Sequence, residues 1–283
     1  MVTLNELSTN LKALLKENNI ENNVFEARCI LEHALGFTHE KLIASAGAVL
    51  TEEQTELVRS LAEKRISGYP LQYILGEWEF FGLPFYVGEG VLIPRQDTET
   101  LVEAVIAKAA GLTSPKILDL CSGSGCIAIA LEKNIPGAKV AAVEYSKPAL
   151  AYLLKNTELN GSDVTAYEGD VLSGSFSENF SGIDIITANP PYLTSDDMNV
   201  LQREVTFEPD TALFGGNDGL LFYREITKKW KNCLCDSGSL FFETGINQEK
   251  DVADILSLNG FEDIRMHTDL NGIIRVVSGV YRV

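Results

Sequence analysis

Lys116-Ile117-Leu118-Asp119-Leu120-Cys121-Ser122-Gly123-Ser124-Gly125 is the stretch that decides the fold. Its first half is a short apolar run, which reads as a buried strand. Its second half is small residues, which let a backbone approach a ligand without Cβ clashes. Ile127 to Leu131 begins a helix directly behind them, so free helical N–H groups point at whatever binds in the turn. Lys139-Val140-Ala141-Ala142-Val143-Glu144 is a second strand, and it ends in an acid nineteen residues beyond Gly125.

Reading downstream, the alternation continues. A helix is predicted from Pro148 to Leu159, a third strand over Val164-Thr165-Ala166-Tyr167 and a fourth over Ile183 to Ala188. Ser239 to Glu243 is a fifth strand, followed by a helix to about Leu258. Strands near 262–267 and 273–281 close the chain around Asn271-Gly272, a turn that joins antiparallel strands. The pattern predicts an α/β domain with a doubly wound, mostly parallel sheet and a C-terminal antiparallel hairpin.

Upstream the character is different. Leu4, Leu7, Leu11, Leu14 and Leu15 recur at helical spacing, as do Val24, Ala27, Ile30, Leu31, Ala34 and Leu35, which stop at Gly36, a C-cap residue. Thr51-Glu52-Glu53-Gln54 is a capping box opening a third helix, with Leu57, Val58, Leu61 and Ile66 on its apolar face. Trp78, Phe80, Phe81, Phe85 and Tyr86, punctuated by glycines, read as a hairpin whose aromatics pack a hinge. The expected organisation is a helical domain over 1–70, a β-hairpin linker over 71–95 and a catalytic domain over 96–283.

Composition narrows the function. The chain of 283 residues carries 40 Asp and Glu against 23 Lys and Arg, a formal net charge of −17. Residues 1–66 hold 10 acids and 7 bases, so they are acidic too. A protein that lives on a nucleic-acid backbone needs clustered cations to displace counterions. No apolar run reaches the length of a membrane helix, and the N-terminus shows no signal pattern. Five scattered cysteines, Cys29, Cys121, Cys126, Cys233 and Cys235, give neither a disulfide framework nor a zinc spacing, and His33, His39 and His267 form no cluster. The expectation is a cytoplasmic, monomeric protein without a metal.

Two motifs carry chemistry. The glycine turn followed by Glu144 suits a nucleoside, because a carboxylate there can accept hydrogen bonds from both ribose hydroxyls. Gly123-x-Gly125-x-x-Ala128 also satisfies the loose dinucleotide fingerprint, so the turn alone leaves a nicotinamide enzyme open. The fourth strand runs straight into Asn189-Pro190-Pro191-Tyr192, at the strand end where open α/β sheets place ligands. The Asn189 side-chain oxygen and the Pro190 carbonyl can both accept from one planar NH₂ group, and Tyr192 can pack on its face. Such a clamp suits an enzyme that methylates an amide or exocyclic nitrogen, whose lone pair is delocalised and weakly nucleophilic.

In these residues the chain resembles the class I S-adenosylmethionine-dependent methyltransferases, and among them the protein-(glutamine-N5) methyltransferases of peptide chain release factors (the PrmC/HemK family). Pro70-Leu71-Gln72-Tyr73-Ile74-Leu75-Gly76, Val91-Leu92-Ile93-Pro94-Arg95-Gln96-Asp97-Thr98-Glu99 and Phe207-Glu208-Pro209 through Gly215-Gly216-Asn217-Asp218-Gly219-Leu220 with Tyr223-Arg224 are similar to that family's signatures in the same order. Cys121 stands where the wider class carries a glycine, and a positive φ there would strain it. The resemblance implies S-adenosylmethionine as cofactor and a release factor as protein partner. It implies that Asp119, Cys121, Ser122, Gly123, Ser124 and Gly125 lie along the cofactor, with Glu144 on its ribose and Asp170 and Val171 beside its adenine. Asn189 would touch cofactor and substrate, and Pro190, Pro191 and Tyr192 would complete the substrate slot. Asn189, Pro190 and Tyr192 would then be the catalytic set. No residue marks a general base. Two alternatives remain, an N6-adenine DNA or RNA methyltransferase, disfavoured by the acidic charge, and an NAD-dependent oxidoreductase.

Overall fold

The computed structural model describes residues 2–282. The chain divides into two compact units, one formed by residues 1–77 with 202–207, the other by 78–201 with 208–283.

The first unit is helical: α1 (Leu4–Glu17), α2 (Asn23–Leu35), α3 (His39–Ala44), α4 (Glu52–Ile66) and α5 (Leu71–Leu75). Both α1 and α4 open with a complete capping box, Thr3 with Glu6 and Thr51 with Gln54, and α2 ends at Gly36 in the left-handed conformation. Leu4, Leu11, Leu15, Ala27, Ile30, Leu31, Val58 and Ala62 make the core. Arg65, buried, pairs with Glu26 and with Glu204.

The second unit begins with the hairpin strands β1 (Glu77–Phe80) and β2 (Leu83–Tyr86). Phe80 and Phe85 do not pack a hinge. Both are almost wholly buried in this unit's own core beside Leu101, Val105 and Ile129. The central strands are β3 (Lys116–Leu120), β4 (Lys139–Glu144), β5 (Thr165–Glu168), β6 (Ile183–Ala188), β7 (Leu234–Glu243), β8 (Phe261–Thr268) and β9 (Ile274–Tyr281). They form one seven-stranded sheet in the order β5-β4-β3-β6-β7-β9-β8. The pairs among β5, β4, β3, β6 and β7 are parallel, and β9 is antiparallel to both β7 and β8. This is the doubly wound sheet with its antiparallel end that the sequence predicts. The loop joining β8 to β9 is shaped by Asp269, whose carboxylate accepts the N–H groups of Asn271 and Ile273.

Successive residues of the central strands serve opposite faces. Ile117, Ile185, Phe241 and Val276 join one apolar core, while their neighbours Leu118, Ile186, Phe242 and Val277 join the other. Side chains alternate with a period of two along a strand. Helices cover both faces, which is why these strands read as unbroken apolar runs rather than as alternating ones. The helices are α6 (Glu99–Ala109), α7 (Cys126–Asn134), α8 (Lys147–Leu159), the short α9 (Gly174–Ser177), α10 (Ser195–Met198) and α11 (Asp210–Leu213), then α12 (Leu221–Trp230) and α13 (Glu249–Leu258). Among the described residues no helix is long and apolar enough to cross a membrane.

Chain order reverses at β3, which sends β4 and β5 to one side and β6 and β7 to the other. Such a switch point leaves a crevice outside the carboxyl ends of the adjacent strands, where open α/β sheets bind ligands.

Candidate active site

A cavity of about 470 Å³ opens at that switch point, lined by the turn after β3, the ends of β4 and β6, and the start of α12. Its size falls within the roughly 300–1,000 Å³ of small-molecule sites. Cys121, Ser122, Gly123, Ser124, Glu144, Asp170, Val171, Asn189 and Pro191 all line it. Asp119, Gly125, Pro190 and Tyr192 do not reach the lining.

The turn is held tightly. Ser122 donates its backbone N–H to Val143 at 3.1 Å, and the Gly125 N–H reaches the Ser122 carbonyl at 2.8 Å. Gly125 begins α7 at φ 82°, a conformation open to glycine at no steric cost. Cys121 adopts φ 58°, so the strain foreseen for a side chain at this position is present. Burial pushes its thiol well above the ordinary range, with Glu144, Asp119 and Asp170 adding to the shift. A thiol of that kind is not a nucleophile.

Glu144 is 8 % exposed, and its carboxylate is fixed by two backbone donors, the Gly123 N–H at 2.7 Å and the Ser146 N–H at 2.6 Å. One of the turn's N–H groups is therefore spent on the acid rather than left for a ligand. Burial raises the carboxyl's pKa, and the backbone bonds pull the other way. An ionised carboxylate offers about four acceptor positions, so two remain for a pair of hydroxyls. Asp119 is fully buried under the turn, takes a hydrogen bond from the Thr187 hydroxyl at 2.8 Å and leaves Oδ2 without a partner. Burial pushes it up to about 7. Asp170 accepts the Leu172 N–H at 2.8 Å, and the Val171 carbonyl accepts the Trp230 indole N–H at 2.9 Å, which anchors this strip of the lining to α12.

Asn189 follows β6 directly. Its Nδ2 lies 3.4 Å from the Thr98 hydroxyl, and its Oδ1 is buried with no hydrogen-bond partner. An orphaned buried acceptor costs about 1–3 kcal/mol until a donor arrives, so a cavity-lining amide in this state is suited to an N–H-bearing ligand. The Tyr192 carbonyl takes the Gln248 amide at 3.0 Å, and burial pushes the Tyr192 phenol up to about 12, which keeps it neutral.

The segment after the clamp is pressed against it. Leu193 donates to the Leu213 carbonyl and Gly215 to the Leu193 carbonyl, each at 2.8 Å. A Cβ at Gly215 would stand 2.6 Å from the Pro191 oxygen and from the Tyr192 Cα, both backbone atoms. Gly215→Ala is expected to destabilise the protein by about 1–3 kcal/mol through overpacking. It should also lower kcat by about 10²-fold, the effect of misplacing a positioned group by roughly an ångström. Melting curves and steady-state rates check both, and wild-type values for the two would contradict the contact.

Sequence reasoning missed Arg95, Thr98, Tyr145, Phe214, Leu221 and Phe222, all of which line the cavity. Arg95 is ion-paired with the buried Glu208, which also accepts the Ile93 N–H at 3.1 Å. Arg95, Thr98, Tyr145 and Phe214 lie outside any strand or helix period, and Leu221 and Phe222 open α12. Among the described residues no group of three or more His, Cys, Asp or Glu could hold a metal ion.

The sheet order, the crevice at its switch point and the glycine turn facing a strand-end acid define a class I methyltransferase fold. A methyltransferase from Pyrococcus furiosus shares that fold (TM-score 0.54, 16% identity, 81% of this chain and 98% of that one). So does the hMettl16 catalytic domain (TM-score 0.58, 16% identity, 79% and 82%). A family model described as PrmC N-terminal domain matches residues 6–76, and one described as methyltransferase small domain matches residues 96–211. The release factor glutamine methyltransferase of Geobacter sulfurreducens is 41% identical over 95% of this chain and 93% of its own. That of Thermodesulfovibrio yellowstonii is 40% identical over 94% and 97%. The chain belongs to the release factor glutamine methyltransferase family.

Proposed function

We propose that this chain transfers a methyl group from S-adenosylmethionine to the side-chain amide nitrogen of a glutamine in a peptide chain release factor. The observation that carries the reading is the unpaired Oδ1 of Asn189 on a lining residue of a cavity that also holds the Glu144 carboxylate. The cavity's residues fit the cofactor. Glu144 has acceptor positions left for a ribose diol, Asp170 and Val171 offer a strip for a base, and the turn from Cys121 to Ser124 gives a close backbone approach. When bound, the cofactor supplies an electrophilic methyl group on a sulfonium.

The chain's own part is to bind and orient. Asn189 Oδ1 accepts from the glutamine NH₂ and holds its nitrogen toward the methyl, while Pro190 lies outside the lining. That bond favours a pyramidal nitrogen with its lone pair free over the planar amide. Orientation of this kind supplies roughly 7–11 kcal/mol of a bimolecular barrier. The ring of Tyr192 lies against Gly245 rather than in the lining, so its contribution is to support the slot.

The helical unit docks the protein substrate. In its support, that unit carries a groove of about 380 Å³ whose apolar lining includes Leu4, Val24, Leu31, Leu42 and Ile43. The formal charge of −17 and the lone cation Arg95 in the cavity lining disfavour a nucleic-acid substrate. Incubation with methyl-labelled S-adenosylmethionine and either intact release factor or an adenine-containing oligonucleotide tests the reading. Label is expected in the protein alone; label in the oligonucleotide alone would overturn it.

A further inference from the structure

Behind Asn189 sits a carboxylate that the reaction as described does not use. Glu243 ends β7, is 4 % exposed, and leaves Oε2 without a hydrogen bond. Ala188 on β6 pairs with Phe242 on β7, which sets Asn189 and Glu243 side by side at the strand ends, and the Thr98 hydroxyl and the Asn189 amide favour the ionised form of the carboxylate. Thr98 also faces Asn189 Nδ2, so the three side chains form one cluster drawn from the start of α6 and the ends of β6 and β7. Arg275 on β9 faces the carboxylate and is itself held by Asp97 at 2.6 Å and Asp269 at 3.1 Å. Asp97, Tyr192, Tyr223 and Cys126 complete its charged and titratable surroundings.

An ionised carboxylate only accepts hydrogen bonds. An amide beside it turns its NH₂ inward and leaves its oxygen free, and an unpaired Oδ1 is what Asn189 shows. We propose that Glu243, with Thr98, is a positioning residue that fixes the Asn189 amide so that Oδ1 is reserved for the substrate's N–H. This rests on the glutamine-methylating reading above. Once protonated, Glu243 becomes a donor as well and can claim the Asn189 oxygen that the substrate needs.

The sign of the pH dependence follows. Burial pushes the Glu243 carboxyl up to about 7, against the pull of Thr98, Arg275 and Asn189. Above that pH the group is ionised and orients the amide; as pH falls through it, orientation and kcat are lost together. Glu243→Gln keeps the shape but offers a donor at every pH.

The test measures kcat of the full chain on intact release factor from about pH 5.5 to about 8.5, for wild type and Glu243→Gln, with S-adenosylhomocysteine affinity by calorimetry. The wild type should show an acid limb near neutrality. The variant should bind S-adenosylhomocysteine within about twofold of wild type, lose about tenfold or more in kcat, and show no such limb. A variant with wild-type kcat, or a wild-type profile flat across that range, overturns the inference alone. A wild type that transfers nothing to release factor overturns the substrate reading and this inference with it. Should Glu243→Gln fail to fold, Thr98→Val decides. Loss of a donor that favours the ionised carboxylate must move the limb to higher pH, and an unmoved limb overturns the proposal.

Discussion

Asn189→Ala is expected to cut kcat by about 10²–10³, the usual loss when one well-placed polar group acting in the transition state is removed. Cofactor affinity should change far less, because Glu144, the turn from Cys121 to Ser124 and the Asp170–Val171 strip stay in place. The substitution takes away no internal bond of Oδ1, but it removes the Nδ2 contact with Thr98 and a polar neighbour of the buried Glu243 carboxylate. Stability should therefore fall by about 1–3 kcal/mol, the cost of a buried polar group left unpaired, while turnover collapses. If the interaction is made only in the transition state, kcat and kcat/KM fall together. A variant that turns over at the wild-type rate would remove Asn189 from the mechanism.

Glu144→Ala is expected to weaken S-adenosylmethionine binding by one or more orders of magnitude. Two effects act together. The lost ribose bonds are charge-assisted and contribute about 1.5–3 kcal/mol each. The Gly123 and Ser146 N–H groups also lose their acceptor, so the turn loses the partner that holds it in shape. The wild-type protein carries a pH signature of the same residue. Burial raises the Glu144 pKa, the acceptor form exists only above it, and affinity should fall on acidification at a higher pH than for an ordinary glutamate. Calorimetry of the variant and of wild type across pH checks both, and unchanged affinity in the variant would leave Glu144 a structural acid of the turn.

The sheet was legible because its signal is local. Apolar runs such as Ile183 to Ala188 need both faces covered, and the residues ending them, Glu144 and Asn189, stand out by their chemistry. The helices α6 and α12 were legible in principle and went unread. Tyr223, Ile226, Thr227 and Trp230 are buried at helical spacing, as are Leu101, Val102, Val105 and Ala109. Of these only Tyr223 lies inside a stretch similar to the family signatures; the others follow directly after one, beyond Glu99 or beyond Arg224. The β1–β2 aromatics mislead in another way, because an aromatic, glycine-broken hairpin looks alike whether it packs between domains or, like Phe80 and Phe85, into one core.

What sequence could not give is contact between residues distant along the chain. Glu243, Thr98 and Asn189 come from three separate segments, and only the strand order β3-β6-β7 with α6 alongside brings them together. Cys121 shows the opposite limit. Standing in a glycine's place, it would be strained only by a positive φ, and φ is 58° in the turn that lines the cavity. Gly215 belongs with these: its identity is set by the backbone of Pro191 and Tyr192, more than twenty residues away.

On the proposed function, the Asn189 clamp directs methyl transfer onto a glutamine side-chain nitrogen. Fragmentation mass spectrometry of intact release factor, after incubation with the full chain and S-adenosylmethionine, tests it most directly. A single added methyl group on the side-chain amide of one glutamine is expected, absent with Asn189→Ala. A methyl group on any other residue type, or the same glutamine methylated at the wild-type rate by Asn189→Ala, would contradict it.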